Sequence, residues 1–419
     1  MMYGSGKTRV QRWSAGVCLG VLAGLLANPV AAASHELTAV FRPDPGNPMV
    51  NKFKNTTPIS SVCSLHIETQ CKQLGIFSLR DQSFRATANA PMLAHFIGEP
   101  DARKGAMFKV PSDWRQVQVT HKETNEVETV EVRIAGIGVS WYVPHVGYWQ
   151  LPGKNWDTLW RNPPAPCQRT GFLAASTTSG WFFWIVPENA GACTITPGKE
   201  IPQLRYSFME YAYELRTPNP LGMSTGQYTG SITYTMMPGG DFDFGDLMIP
   251  DDNLQTFNFT LDVEHTLKVE VPPGGNRVEL LPQGGWQAWL QRNRRPERLF
   301  RDQTFNLSAS SRFKMRLECE HTDGGDNCSI YEPSSGHAVP LNIAVTLPAN
   351  ITDGAGQPVN RRRLVRSGSG TELFLPGQYI DRKPGTLHFE VGSKDVEEML
   401  TGVSKTYRAN VTVIWDSEV

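Results

Sequence analysis

Three stretches of this 419-residue chain spell fragments of catalytic machinery. Gly222-Met223-Ser224-Thr225-Gly226 has the GxSxG spacing that lifts a nucleophilic serine onto a tight turn, but that chemistry needs a strand before the turn and a helix after it. Here Pro218 and Pro220 precede the motif and an alternating β pattern follows. Asp243-Phe244-Gly245 matches the triplet with which kinases hold magnesium, yet neither an HRD loop nor a glycine-rich loop accompanies it. Gly4-Ser5-Gly6-Lys7-Thr8 lacks the first glycine of a phosphate loop. The nine histidines are scattered, with no HExxH or paired spacing, so neither metal catalysis nor a cofactor has a ligand set. His265 interrupts an otherwise apolar face and reads as a core or rim histidine with one hydrogen bond. The residues therefore point away from an enzyme.

Binding chemistry is better represented. Trp156, Trp160, Arg161 and Arg169 combine flat rings, which stack on sugars, with guanidinium groups, which pair with acidic ones. Two basic clusters, Arg292, Arg294, Arg295, Arg298 and Arg301, then Arg361, Arg362, Arg363 and Arg366, sit in a chain of net charge -1. In that setting they read as solvated loops or partner-docking surface, and no nucleic-acid partner is expected.

The elements that must carry these side chains are strands. Charged residues are only 19% of the chain, and Gly 38 with Pro 30 supplies many turns, which favours all-β architecture. The length suits two domains. Phe257, Phe259, Leu261, Val263, Leu267, Val269 and Val271 alternate with polar residues across fifteen positions, predicting one strand of about 50 Å that bends or switches sheets partway. Val127–Ile134 and the continuous Trp181–Val186 predict two further strands, the second buried on both faces. Tyr407, Ala409, Val411, Val413 and Trp415 predict a final strand. Ser393–Leu400 predicts one short helix. Loss of periodicity around 241–253 marks a linker, giving a first domain at 34–248, a linker at 249–256 and a second domain at 257–419. Gln227–Tyr234 and Thr406–Val413 share a short pattern, as if two domains ended on equivalent strands.

Residues 1–33 read as an export signal: Lys7, Arg9 and Arg12, then the apolar run Ala15–Ala27, then a small-residue cleavage site ending at Ala33. No later stretch approaches the ~20 apolar residues of a membrane helix. Removal of Cys18 leaves six cysteines. Fifteen connectivities are formally open, and local pairing is expected: Cys63 with Cys71, Cys167 with Cys193, Cys319 with Cys328. No CxxC or neighbouring histidine completes a zinc set, and the compartment is oxidising.

Gly239-Gly240-Asp241-Phe242-Asp243-Phe244-Gly245, the pattern from Phe257 and the ending Thr406–Trp415 resemble the CblD-like pilus biogenesis initiators, tip adhesins of the alternate chaperone-usher (class 5, or α) fimbriae. The resemblance covers essentially the whole mature chain. It implies two immunoglobulin-like β-sandwich domains in tandem, an adhesin domain followed by an incomplete pilin-type sandwich. It implies completion of the second by a strand from a periplasmic chaperone, replaced at an outer-membrane usher by the N-terminal strand of the major pilin subunit. It implies export through the periplasm to a fimbrial tip at the bacterial surface, and a host glycan or glycoprotein receptor bound through exposed arginines, for which Arg216, in Tyr-Glu-Leu-Arg-Thr-Pro, is the candidate the resemblance adds. The donor-strand groove would run between Phe257, Phe259, Leu261 and Val263 on one edge and Tyr407, Ala409, Val411, Val413 and Trp415 on the other. The alternative reading is a secreted carbohydrate-binding or carbohydrate-cleaving β-sandwich protein, the cleaving form of which needs two carboxylates facing across a cleft.

Overall fold

The computed structural model describes residues 33–94, 101–144, 156–176, 178–292, 295–401 and 405–417, with the side chains of 156–158 and 292 outside that description. The expected export signal falls outside the described residues, except for Ala33, which opens the first strand.

The fold is mostly β and its apolar interior falls into two large clusters, divided near His265. The N-terminal cluster is built on an extended sheet whose strands run in the order Met248–Pro250, Ala86–Ala88, Arg205–Arg216, Val127–Tyr142, Arg115–His121, Gly226–Thr235, Leu254–Val263, Ala33–Phe41 and Lys54–Asn55. Ser179–Ile185 pairs with Val127–Tyr142 off this path. Its residues Phe182 and Trp184 enter the main cluster, while Phe183 and Ile185 enter a smaller one with Val62, Ile67 and Ala212. A strand whose alternate residues serve two cores has no polar face to show, which is why its sequence is continuously apolar.

The long alternating stretch is divided between the two clusters. Leu254–Val263 pairs in parallel with Ala33–Phe41 and antiparallel with Gly226–Thr235. Phe257, Phe259, Leu261 and Val263 are all buried in the N-terminal cluster, and Phe257 packs 5.3 Å from Tyr211 and 5.5 Å from Tyr234. Pairing then stops. Glu264 N–H bonds the Phe41 carbonyl and the Glu264 carboxylate takes a bidentate pair from Arg42 at 2.7 Å, turning the chain so that Leu267–Glu270 joins a different sheet. The segment expected as a linker, 249–256, lies inside the N-terminal sheet instead, because Met248–Pro250 and Leu254–Val263 both find partners there. The shared pattern at Gln227–Tyr234 does not mark an equivalent terminal strand either, since Gly226–Thr235 is flanked on both sides.

The second cluster lies within a sheet ordered Leu267–Glu270, Leu299–Ala309, Ile380–Val391, His337–Thr346 and Cys328–Glu332, with Arg362–Leu364 also on His337–Thr346. A separate antiparallel pair, Lys314–Cys319 with Val411–Asp416, packs on the same cluster. Disulfides join Cys63 to Cys71, Cys167 to Cys193 and Cys319 to Cys328. The third ties the end of Lys314–Cys319 to the start of Cys328–Glu332, and so staples the separate pair to the larger sheet. Ser393–Met399 is helical as expected, whereas the helix Gly285–Arg292 was not legible beside two left-handed glycines, Gly284 and Gly285. No helix among the described residues is long and apolar enough to cross a membrane.

Candidate functional site

Val411–Asp416 runs antiparallel to Lys314–Cys319, from Cys319↔Val411 to Lys314↔Asp416, and among the described residues no strand lies on its other edge. A strand bonded on one side leaves a row of backbone donors and acceptors free. Its side chains agree with that picture. Met315 and Leu317 on the partner strand are 0% and 2% exposed, whereas Val411, Val413 and Trp415 are only half-buried against the same cluster. Trp415 reaches Phe305 at 5.1 Å and Phe313 at 5.7 Å. Among the described residues Leu267–Glu270 is likewise bonded on one edge only, with Val269 opposite Leu307, and Leu267 and Val269 are half-buried. Two one-sided strands thus border one apolar cluster, with Phe305 between Leu307 and Trp415.

This arrangement separates the residues read from sequence as the two edges of one groove. Phe257, Phe259, Leu261 and Val263 cannot line it, because they are sealed between two neighbouring strands in the other cluster. The edge falls on Leu267 and Val269, later in the same alternating stretch. Tyr407 and Ala409 flank the terminal strand but lie before it. Arg408 instead exchanges backbone bonds with Tyr331, and Tyr407 OH bonds His337 Nδ1 at 2.8 Å.

The aromatic and basic candidates separate. Trp160 is fully buried, stacked 5.7 Å from Trp141 and tilted 4.6 Å from Phe182, with its carbonyl accepting from Trp184 Nε1 at 2.7 Å. It is core, not ligand surface. Arg161 ends the helix Trp156–Arg161 and Arg169 lies on Gln168–Ala175, both exposed, while the Trp156 side chain lies outside the described residues. Arg216 belongs to another cluster, its guanidinium 3.7 Å from the ring centre of Trp114 and 3.5 Å from Glu131. Arg133, paired to Glu214 at 2.6 Å, approaches the same ring at 5.6 Å. Trp114 and Arg133 were not singled out from sequence, since the registers Glu131↔Arg216 and Arg133↔Glu214 bring Arg133 beside Arg216, and Arg115↔Val132 brings in the preceding Trp114.

The junction between the clusters absorbs the serine motif. His265 bonds the Met223 carbonyl through Nε2 at 2.9 Å and Ser310 Oγ through Nδ1 at 3.0 Å. A carbonyl only accepts, so Nε2 carries the proton and Nδ1 accepts from the serine hydroxyl. Arg312 donates to Ser224 Oγ at 3.2 Å, and the Ser224 amide donates to Tyr228 OH, itself bonded to Glu126. Ser224 is therefore held as a structural contact. His265 makes two bonds that bridge the two halves, where one was expected.

A polar cleft of about 420 Å³ opens elsewhere on the N-terminal half, lined among others by Lys109, Ser112, Asp113, Arg115, Asn189 and Asp241. Arg115 Nε meets Asp113 at 2.6 Å and its Nη2 meets Asp241 at 3.5 Å. Asp241 accepts from Thr235 N and Oγ1, both at 2.9 Å.

No family model and no curated protein matches this sequence. Among solved structures the chain is similar to CfaE, the adhesive subunit of CFA/I fimbria of enterotoxigenic Escherichia coli, at 10% identity and a TM-score of 0.26 over 92% of each chain. It is also similar to a chaperone-tip adhesin complex of CFA/I fimbriae biogenesis, at 10% identity and TM-score 0.24, covering 92% of this chain and 97% of that one. A third likeness is to the CsuC-CsuE chaperone-tip adhesion subunit pre-assembly complex from archaic chaperone-usher Csu pili of Acinetobacter baumannii, at 8% identity and TM-score 0.21, covering 92% and 98%.

Proposed function

We propose that this chain is a fimbrial tip adhesin that initiates pilus assembly, and that its C-terminal half is completed by a strand inserted beside Val411–Asp416. The observation that carries the reading is the contrast across one strand pair. Met315 and Leu317 are sealed, but Val411, Val413 and Trp415, facing the same cluster, are half-open beside an unbonded backbone edge. An incoming strand with alternating apolar residues would supply the missing ladder bonds and cover Leu267, Val269, Val411, Val413 and Trp415 together. A periplasmic chaperone strand fills the groove first, and the N-terminal strand of the major pilin replaces it at an outer-membrane usher.

On this reading the chain holds two immunoglobulin-like sandwiches, an adhesin part ending near Val263 and a pilin-type part beginning at Leu267. Attachment to a host glycan or glycoprotein belongs to the first part, and the protein is exported to the fimbrial tip.

The test is completion in cis. The mature protein extended after Val419 by a flexible linker and the N-terminal segment of the cognate major pilin should become monomeric and melt at a higher temperature, because a tethered strand acts at high effective concentration. The unextended protein should aggregate or pair with chaperone. An unextended protein that is monomeric and heat-resistant, and is unchanged by the added strand, would remove the basis for the proposal.

A further inference from the structure

The cleft at Lys109, Asp113, Arg115 and Asp241 is walled by three separate segments, each tied in place. The 109–115 wall is held by reciprocal backbone bonds between Lys109 and Asp243 and by Ser112 Oγ donating to the Ala190 carbonyl at 3.1 Å. The second wall is the loop at Asn189, whose amide N–H bonds the Ser112 carbonyl and whose φ of 55° is left-handed. The third is the turn after Gly226–Thr235, where Asp241 and Thr235 exchange three hydrogen bonds. A Cβ on Gly240 would come within 2.9 Å of Thr235 Oγ1, so this turn closes tightly against its own strand. Such cross-ties leave a cleft already shaped before anything enters it.

The chemistry of the walls selects an occupant. Lys109 and Arg115 carry two positive charges, Asp113 and Asp241 two negative ones, and the signs are interleaved through Arg115. An anion entering would meet two carboxylates, and a cation two basic groups. A neutral hydroxyl suits both, since it donates one hydrogen bond and accepts others. Lys109 is exposed and joins no ion pair among the described residues, which leaves its three donors for a ligand.

We infer that this cleft binds a neutral polyhydroxylated ligand, a saccharide residue, with Lys109, Asn189 and the Asp113–Arg115–Asp241 chain forming its hydrogen-bonding walls. The assignment rests on the attachment reading for the biological source of the sugar. It moves the ligand site away from Trp160, Arg161 and Arg169. The two readings fail separately, because sugar binding is read as contact between glycoside and folded protein, and strand completion is read as a change in stability.

The test uses saturation-transfer NMR on the mature strand-completed protein, with the methyl glycosides of galactose, glucose, mannose and N-acetylglucosamine, and with glucuronate and choline as charged controls. At least one neutral glycoside should bind, and neither control should match it. Lys109→Ala removes the free ammonium. Asn189→Gly removes the amide while keeping a backbone angle that glycine adopts freely. Each should raise the Kd at least about tenfold, the loss expected for one hydrogen bond to a charged or well-placed group, with the melting temperature unchanged. Absence of binding by all four neutral glycosides, stronger binding of a charged control, or neutral binding that survives both substitutions would each overturn the assignment while leaving strand completion untouched.

Discussion

Tyr206 and Tyr228 are both fully buried, yet their hydroxyls have opposite circumstances. Tyr206 OH bonds no group among the described residues, and burial pushes its pKa far up, whereas Tyr228 OH donates to Glu126 at 2.8 Å and accepts from the Ser224 amide at 2.9 Å. Tyr206→Phe is therefore expected to hold or raise the melting temperature, by up to about 1 kcal/mol of stability, because it removes an unsatisfied polar atom without changing shape. Tyr228→Phe should cost about 1.5–3 kcal/mol, since it strips a bond to a charged partner. Thermal denaturation of the two variants side by side checks the contrast. His265 is a second case in which the side chain's surroundings matter more than its type. Burial lowers its pKa from the ordinary 6.5, and the nearby Arg312 pushes the same way. The unfolded chain then takes up the proton first as pH falls below 6.5. The contribution of neutral His265 is complete above that value and is lost as pH falls towards the lower folded value. Stability measured from pH 7.5 downwards should decline more steeply in the wild type than in His265→Gln, which keeps an amide donor for the Met223 carbonyl. Equal slopes would show that the junction histidine does not titrate with unfolding.

At the scale of the strand, one alternating stretch does two jobs. Phe259 is sealed between Ala33–Phe41 and Gly226–Thr235, while Val269, ten positions later, sits at an open edge. Phe259→Ala should cost about 3–5 kcal/mol in the N-terminal half, as large core truncations do, and leave uptake of a donor strand unaffected. Val413→Asp should do the reverse, abolishing the stabilisation given by an added strand because a charge would face the apolar cluster unpaired. Melting curves with and without the donor strand separate the two. Loss of strand uptake in Phe259→Ala at a temperature where the fold is intact would mean that the groove extends into the first cluster after all.

Across the whole molecule, His265, Arg312 and the Arg42–Glu264 pair are the contacts that accompany the passage from one cluster to the other. Strand completion should therefore raise the melting of the C-terminal half first, and scanning calorimetry should resolve that shift from the N-terminal transition. Much of this organisation was legible in the residues. Two-residue periodicity announced strands at Phe257 and Val411, because side chains on a pleated backbone alternate faces whatever the fold, and the apolar content of Val127–Ile134 and Trp181–Val186 announced two more. The three cysteine pairs were legible because short separations keep sulfurs near each other in any compact arrangement. Periodicity says that a strand has an apolar face, but not which core that face meets. Only the tertiary structure placed Phe257–Val263 in the first cluster, because the strand that covers it, Ala33–Phe41, comes from more than two hundred residues earlier. The same reason hid the Trp114–Arg216 stack and the cleft at Asp113 and Asp241. Their members are brought together by strand register and by turns distant in sequence, and neither leaves a local pattern to read.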